Sequence, residues 1–243
     1  MKSHTARHLI CSDFHVPDHD RELIKKLLKF IDEYRPDHFH LLGDFMNFTK
    51  VSKYDQDPYY NETLANEIDA GNALLDKLVS TLKKANKKCT VTWYFGNHDD
   101  RLTHYLARNA QQLADLHLGD QYIISIPYLF KLQERGIKWH GYKQTVPIGN
   151  ALLTHGDIVG GKGGMTAQKS IDKYGRSGFS GHVHRLAQVY RRRLDRCDFW
   201  IETGCMCNLQ PTPAYLQNPD WQQAWVTCEV DSQGNVFPTI HPQ

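Results

Sequence analysis

Three short apolar runs, separated by two amphipathic stretches at helical spacing, constrain the fold of this 243-residue chain more than any other feature. Arg7 to Cys11, His38 to Leu42 and Cys89 to Phe95 read as buried strands. Between the first two, Leu23, Ile24, Leu27, Leu28 and Ile31 recur with the period of an α-helix that must end before Pro36. Between the second and third, Leu64, Ile68, Leu74, Leu75, Leu78 and Leu82 mark a longer helix over Glu62 to Ala85. Strands alternating with helices are the pattern of a parallel sheet with right-handed crossovers, because parallel neighbours cannot be joined by a tight turn.

After Asp100 the texture changes. Arg101 to Leu116 predicts a third helix, and Ile126 to Gln133 a fourth. Ile137 to Tyr142, Ala151 to Thr154, Gly178 to Ser180, Leu186 to Leu194, Phe199 to Thr203 and Ala224 to Val230 are then short strand-like runs, with one helix among them at Met165 to Lys173. These runs predict a second sheet packed on the first, hence an α/β sandwich of two mixed β-sheets with helices outside. The chain is long enough for one substantial core and shows no repeat or linker, so a single domain over residues 1–243 is expected. Leu209 to Trp225, with three prolines and two tryptophans, is assigned to no element.

Composition narrows the partners. A net charge of +2 from 29 basic and 27 acidic residues is too small to specify a polyanion by charge alone. Met1 to His8 is polar, with no apolar signal core, and no run approaches transmembrane length, so the expectation is a cytoplasmic protein without membrane contact. The six cysteines are then expected to be reduced. Cys205-Met206-Cys207 is too tightly spaced for a structural zinc knuckle and no second pair comes after it.

The residues just beyond each strand carry the chemistry: Asp13-Phe14-His15, Gly43-Asp44, Gly96-Asn97-His98-Asp99, His155-Gly156-Asp157 and Gly181-His182-Val183-His184. Strand ends at one sheet edge are where α/β proteins place their sites. Residues two apart in extended chain point the same way, so Asp13 with His15, and His182 with His184, can each present two ligands together. Glycines 43, 96, 156 and 181 let the chain turn without filling the space between them. Acids, an amide and five of the 14 histidines gathered this way would be costly if buried unpaired. Divalent cations would neutralise them. Mixed nitrogen and oxygen donors suit manganese, iron, zinc or nickel better than calcium or magnesium, and the ligand number suits two ions sharing a carboxylate.

In this order, Asp-x-His, Gly-Asp, Gly-Asn-His-Asp, His-Gly and Gly-His-x-His resemble the calcineurin-like metallophosphoesterases, from Asp13 to His184. The resemblance implies a four-layer αββα fold and a dinuclear centre, manganese being the first expectation. It implies that Asp13, His15 and His184 hold one ion, that Asn97, His155 and His182 hold the other, and that Asp44 bridges them. His98 would stabilise the transition state or protonate the leaving oxygen, oriented by Asp99, while a metal-bridging hydroxide attacks phosphorus in line.

Departures from the family pattern bear on substrate. Gly43-Asp44-Phe45-Met46-Asn47 lacks the Val-Asp-Arg-Gly continuation of the Ser/Thr protein phosphatases, which argues against a phosphoprotein. Arg101 sits at the offset where those enzymes place a phosphate-binding arginine, although a helix-surface ion pair would also explain it. The expectation is a phosphodiesterase acting on a nucleotide or nucleic acid, with a phosphomonoesterase and a non-catalytic scaffold of the same fold as alternatives. Weaker signals are Gly160 to Gly164 as a phosphate cradle or a flexible loop, and Arg185, Arg191, Arg192, Arg193 and Arg196 as a nucleic-acid groove or a solvated edge strand. Phe45, Phe48, Tyr54, Tyr59 and Tyr60 would form a stacking surface or simply pack.

Overall fold

A computed structural model describes residues 5–55, 57–210 and 219–243; residues 211–218, inside the unassigned proline-rich stretch, lie outside these. The described chain runs β1 (Ala6–Cys11), α1 (Arg21–Tyr34), β2 (His38–Leu41), α2 (Leu64–Ala85), β3 (Thr90–Tyr94), α3 (Arg101–Asn109), α4 (Gln111–Ala114), β4 (His117–Leu118), β5 (Gln121–Tyr122) and α5 (Ile126–Leu129). It continues through β6 (Ile137–His140), β7 (Val146–Ile148), β8 (Ala151–Thr154), α6 (Met165–Tyr174), β9 (Ser177–Ser180), β10 (Leu186–Arg192), β11 (Cys197–Thr203), β12 (Ala224–Val230) and β13 (Val236–Pro242). No helix among the described residues is long and apolar enough to cross a membrane.

Two mixed sheets result. One has the order β13-β12-β1-β2-β3-β6, the other β10-β11-β9-β8-β7, and β4 with β5 forms a small separate hairpin. In the first sheet β1, β2, β3 and β6 are parallel, and β12 pairs antiparallel with β1. Strand alternation divides the core into three layers. Leu9 and Cys11 face Leu23, Leu27, Leu75 and Leu78 of α1 and α2 on the outer side of the first sheet. Ile10, on the opposite face of β1, joins Leu153, Phe179, Phe199, Ile201 and Val226 between the sheets. Trp200 points the other way from its neighbours on β11 and packs with Ala167 and Ile171 of α6. The layers are therefore helix, sheet, sheet, helix, the αββα arrangement.

Local chemistry fixes the helix ends. Asp20 accepts from the amides of Glu22 and Leu23 at 2.9 and 3.0 Å and starts α1; Arg35, left-handed and directly before Pro36, ends it. Thr63 caps α2 in the same way.

Four expectations need correction. Ile137 to Tyr142 and Ala224 to Val230 belong to the first sheet, as β6 and β12, because α3 to α5 return the chain beside β3 and the hairpin β12–β13 closes on β1. The helix expected over Arg101 to Leu116 breaks at Ala110, whose backbone (φ −153°, ψ 48°) is not helical: Leu102 and Leu106 are buried, but Leu113 and Leu116 face outward and give a continuous helix nothing to pack on. The helix expected over Ile126 to Gln133 is one turn, since Lys131 is left-handed and lets Phe130 and Leu132 both reach the core. β13, to which the sequence reading assigns nothing, carries Pro238 and Pro242, which are tolerated because β13 is an edge strand.

Candidate metal centre

The C-terminal ends of β1, β2, β3, β8 and β9 meet at one edge of the sandwich. The loops that leave them are tied together by main-chain bonds: Asp13 N–H donates to Gly43 O and His15 N–H to Asp44 O, both at 3.0 Å. At Gly43 (φ +89°) a Cβ would strike the His155 ring, and at Gly96 a Cβ would strike the Asp44 carboxylate, so both positions need the absence of a side chain. Among the described residues nine non-glycine residues have a left-handed backbone, and five of them are Asp13, His15, Asp44, His182 and His184. Such backbone is uncommon outside glycine, is adopted most readily by Asn, Asp and His, and concentrates where side chains are aimed for function.

Eight side chains converge. Donor atoms of Asp13, His15 and His184 lie within 4.8 Å of one another, as do those of Asp44, His155 and His182, and those of His15, Asp44 and His98. His184 Nε2 is 3.2 Å from Asp13 Oδ1 and 2.9 Å from His15 Nε2. Asp44 Oδ2 stands between the groups, 3.8 Å from His15 Nε2 and 3.3 Å from His155 Nε2. Asn97 Oδ1 is 3.2 Å from His155 Nε2. His155 Nδ1 donates to the Leu42 carbonyl at 2.9 Å, which leaves Nε2 facing the centre.

The electrostatics of the protein alone are those of charges waiting for a counter-ion. Burial works against charge on His155 and His184, yet Asp44 and Asp13 respectively raise each of them to about 10. Burial opposes ionisation of Asp44 too, but His155 and His98 hold it well below the usual carboxylate range. His15 is driven the other way, down, by burial and then by His98 and His184. Cations would take over from the protons on His155 and His184. The chemistry of the donors fits this: His182 Nδ1 is buried with no hydrogen-bond partner, the state of a nitrogen kept for an ion.

His98 lies at the mouth of the centre, its ring 4.4 Å from that of His15. Asp99 does not orient it. The Asp99 carboxylate is fully buried and accepts from Met46 N, Trp93 Nε1 and Gly96 N, so it braces the turn beneath the site; burial and then Asp44 raise it to about 7. The residue that holds His98 is Asn47, whose Oδ1 is 2.9 Å from His98 Nδ1. Arg101 reaches the other side, its guanidinium 2.9 Å from His98 Nε2 and donating also to Asn47 O at 2.9 Å. Asn47 had no signal beyond its place three residues after Asp44. Also missed were Trp221, whose ring is 4.2 Å from that of His184, and Cys207, whose Sγ is 4.0 Å from His184 Nδ1.

Most of the weaker signals are engaged within the protein. The amides of Gly164 and Ala167 at the start of α6 donate to the Glu202 carboxylate, which occupies the place a phosphate would take. Arg193 and Arg196 both pair with Asp198 at 2.9 Å, Arg191 pairs with Asp172, and Arg185 donates to Gly160 O at 2.8 Å. Phe45 and Phe48 are core residues; Tyr54 and Tyr59 are exposed.

Known proteins place this arrangement in context. The family model described as Calcineurin-like phosphoesterase matches residues 6–196. The Gene 54 proteins of Mycobacterium phages D29 and L5 are 25% and 23% identical, each alignment covering 98% of this chain and 94% of the relative. Among solved structures, Vps29 of Chaetomium thermophilum aligns over 98% of this chain and 97% of its own at 10% identity and a TM-score of 0.45. The nuclease MPE of Pseudomonas putida aligns over 96% and 87% at 17% identity and a TM-score of 0.40.

Proposed function

The chain belongs to the calcineurin-like phosphoesterase family and is a metal-dependent hydrolase of phosphoric esters; from that premise we propose that it cleaves phosphodiesters of the nucleotide or nucleic-acid type at a dinuclear centre. The observation that carries the dinuclear reading is Asp44 Oδ2, standing between the His15 and His155 nitrogens at 3.8 and 3.3 Å. In this reading Asp13, His15 and His184 hold one divalent ion, Asn97, His155 and His182 the other, and Asp44 both. Manganese is the ion proposed, with iron, zinc and nickel meeting the same donor chemistry. When bound, the two ions supply Lewis acidity toward the phosphoryl oxygens and an activated water as nucleophile.

The protein's own part is positioning and proton handling. Asn47 accepts the Nδ1 proton of His98 and so fixes the tautomer, leaving Nε2 toward Arg101. Burial, reinforced by Arg101 against the pull of Asp44, holds His98 down to about 4. An anionic substrate would raise it, and Nε2 is the atom from which the leaving oxygen takes its proton. In this reading Arg101, beside His98, meets a phosphoryl oxygen. A diester brings one negative charge where a monoester brings two, and one guanidinium at the mouth suits the smaller charge. A single domain spans residues 1–243 in this reading, and six free thiols fit a reducing, cytoplasmic setting.

The test is manganese-loaded protein on bis(p-nitrophenyl) phosphate and p-nitrophenyl phosphate, with Asp44→Asn as the blank. Faster diester turnover supports the reading. Faster monoester turnover replaces it with a phosphomonoesterase, and no turnover of either replaces it with a binding scaffold.

A further inference from the structure

Among the described residues, His184 is a candidate ligand whose second nitrogen faces another group of metal-binding atoms. Its Nε2 is turned toward Asp13 and His15, and its Nδ1 toward Cys207 Sγ at 4.0 Å. Cys205, two residues earlier, brings its sulfur to the same place: the two thiols and a ring nitrogen of His184 all lie within 4.8 Å of one another. The arrangement is built rather than accidental. Left-handed Gly204 precedes it, the Cys205 amide donates to Gln222 O at 3.0 Å, and the Cys207 carbonyl accepts from the Gln223 side chain at 2.9 Å. Isolated bridges of Cys205 to Gln223 and of Cys207 to His19 hold both residues extended, so both side chains leave the same face of the segment. Cys205 is fully buried, Cys207 is 3% exposed, and the Trp221 ring lies against His184.

Two sulfurs and an imidazole form the donor set of a thiophilic ion, unlike the nitrogen and oxygen set of Asp13 and His15 on the other side of the same ring. An ion about 2.3 Å from each sulfur and about 2.0 to 2.1 Å from the nitrogen sits within donor separations of this size. We propose that Cys205, Cys207 and His184 Nδ1 form a third cation site, for a thiophilic divalent ion such as zinc or cadmium, sharing His184 with the candidate centre. Binding releases the two thiol protons and any proton on Nδ1 to solvent; with both sites filled the ring would be an imidazolate that serves one ion through each nitrogen. The site goes beyond the phosphoesterase reading and does not depend on it. If both hold, occupancy behind His184 alters the ligand that the centre uses in front.

The experiment is a cadmium titration of the reduced full chain, monitored by the ultraviolet absorption of the cadmium–thiolate bond and by bound cadmium per chain. Wild type is expected to develop the band with one equivalent, and Asp44→Asn to develop it equally, which separates this site from the dinuclear one. Cys205→Ser and Cys207→Ser should each weaken the cadmium that gives the band by more than the roughly 10- to 100-fold of an outer-shell change. His184→Ala should weaken it too. No band in wild type, a band that survives the double serine variant through the other four cysteines, or an unchanged affinity in His184→Ala would each overturn the proposal.

Discussion

Lowering the pH should destabilise the protein through a histidine remote from the centre. His8 on β1 lies 7% exposed, its Nδ1 2.9 Å from His40 Nε2 and its ring stacked on those of His38 and His40, with centroids at 4.4 and 5.2 Å. Tyr94 Oη, 3.2 Å from His40 Nδ1, continues the row. Burial, then His38, lowers His8 from 6.5 to about 4, with Asp37 opposing. As pH falls the unfolded chain takes up this proton first. Stability from His8 is therefore complete above about pH 6.5 and is lost as pH falls toward about 4. At 1.36 kcal/mol per pH unit the full span is worth about 3 kcal/mol, of which about 2 kcal/mol is gone by about pH 5. Burial and the His8 charge lower His40 in the same direction and add to the loss. Urea unfolding monitored by circular dichroism at about pH 7.5 and about pH 5, for wild type and His8→Phe at equal metal content, isolates the His8 share. Wild type should lose about 2 kcal/mol more than the variant between the two conditions. Equal losses would refute the reasoning, since the ring would then be charged in the fold or exposed to water.

Gly96→Ala drives a methyl into the Asp44 carboxylate, so bound manganese per chain should fall well below wild type; full occupancy would show that the turn can yield. Asn47→Ala should leave metal content unchanged and lower turnover, by less than the about 100- to 10,000-fold expected for His98→Ala. Turnover equal to wild type would remove Asn47 from the positioning of His98. Gly178→Ala would place a Cβ 2.5 Å from the fully buried Trp200 ring, and overpacking of this kind costs about 1 to 3 kcal/mol. A lowered melting temperature with unchanged metal content is expected there, and an unchanged melting temperature would mean that α6 shifts to make room.

The layers and the strand ends were legible because each depends on a local pattern. The leucine spacing of α1 and α2 and the apolar runs of β1, β2 and β3 state their own period, and the polar residues after each run mark where it opens. Sheet membership was not legible in the second half. Nothing local to Ile137 or Ala224 tells which sheet accepts the strand, because that depends on how long crossovers return. The breaks at Ala110 and Phe130 came from burial demands of side chains that look alike in sequence. At the site, residue type and order pointed to the side chains that converge, whereas the part expected of Asp99 falls to Asn47. An acid beside a histidine in sequence faced the core instead, and an amide 51 residues away reached the ring. Only the fold could bring Cys207 behind His184.

The spread of the centre along the chain has a consequence for how the protein is made. His15 and His184 touch at 2.9 Å but are 169 residues apart in sequence. A growing chain on the ribosome would carry Asp13, His15, Asp44 and Asn97 into solvent as an acidic, amide-bearing rim long before the histidines that complete it. Contacts of such long span close late, after local helices and the first sheet have formed. Completion of the Asp13, His15 and His184 group as proposed would then be a late act of assembly, and a chain halted before His184 would lack a ligand of that ion while already carrying Asp44, His155 and His182.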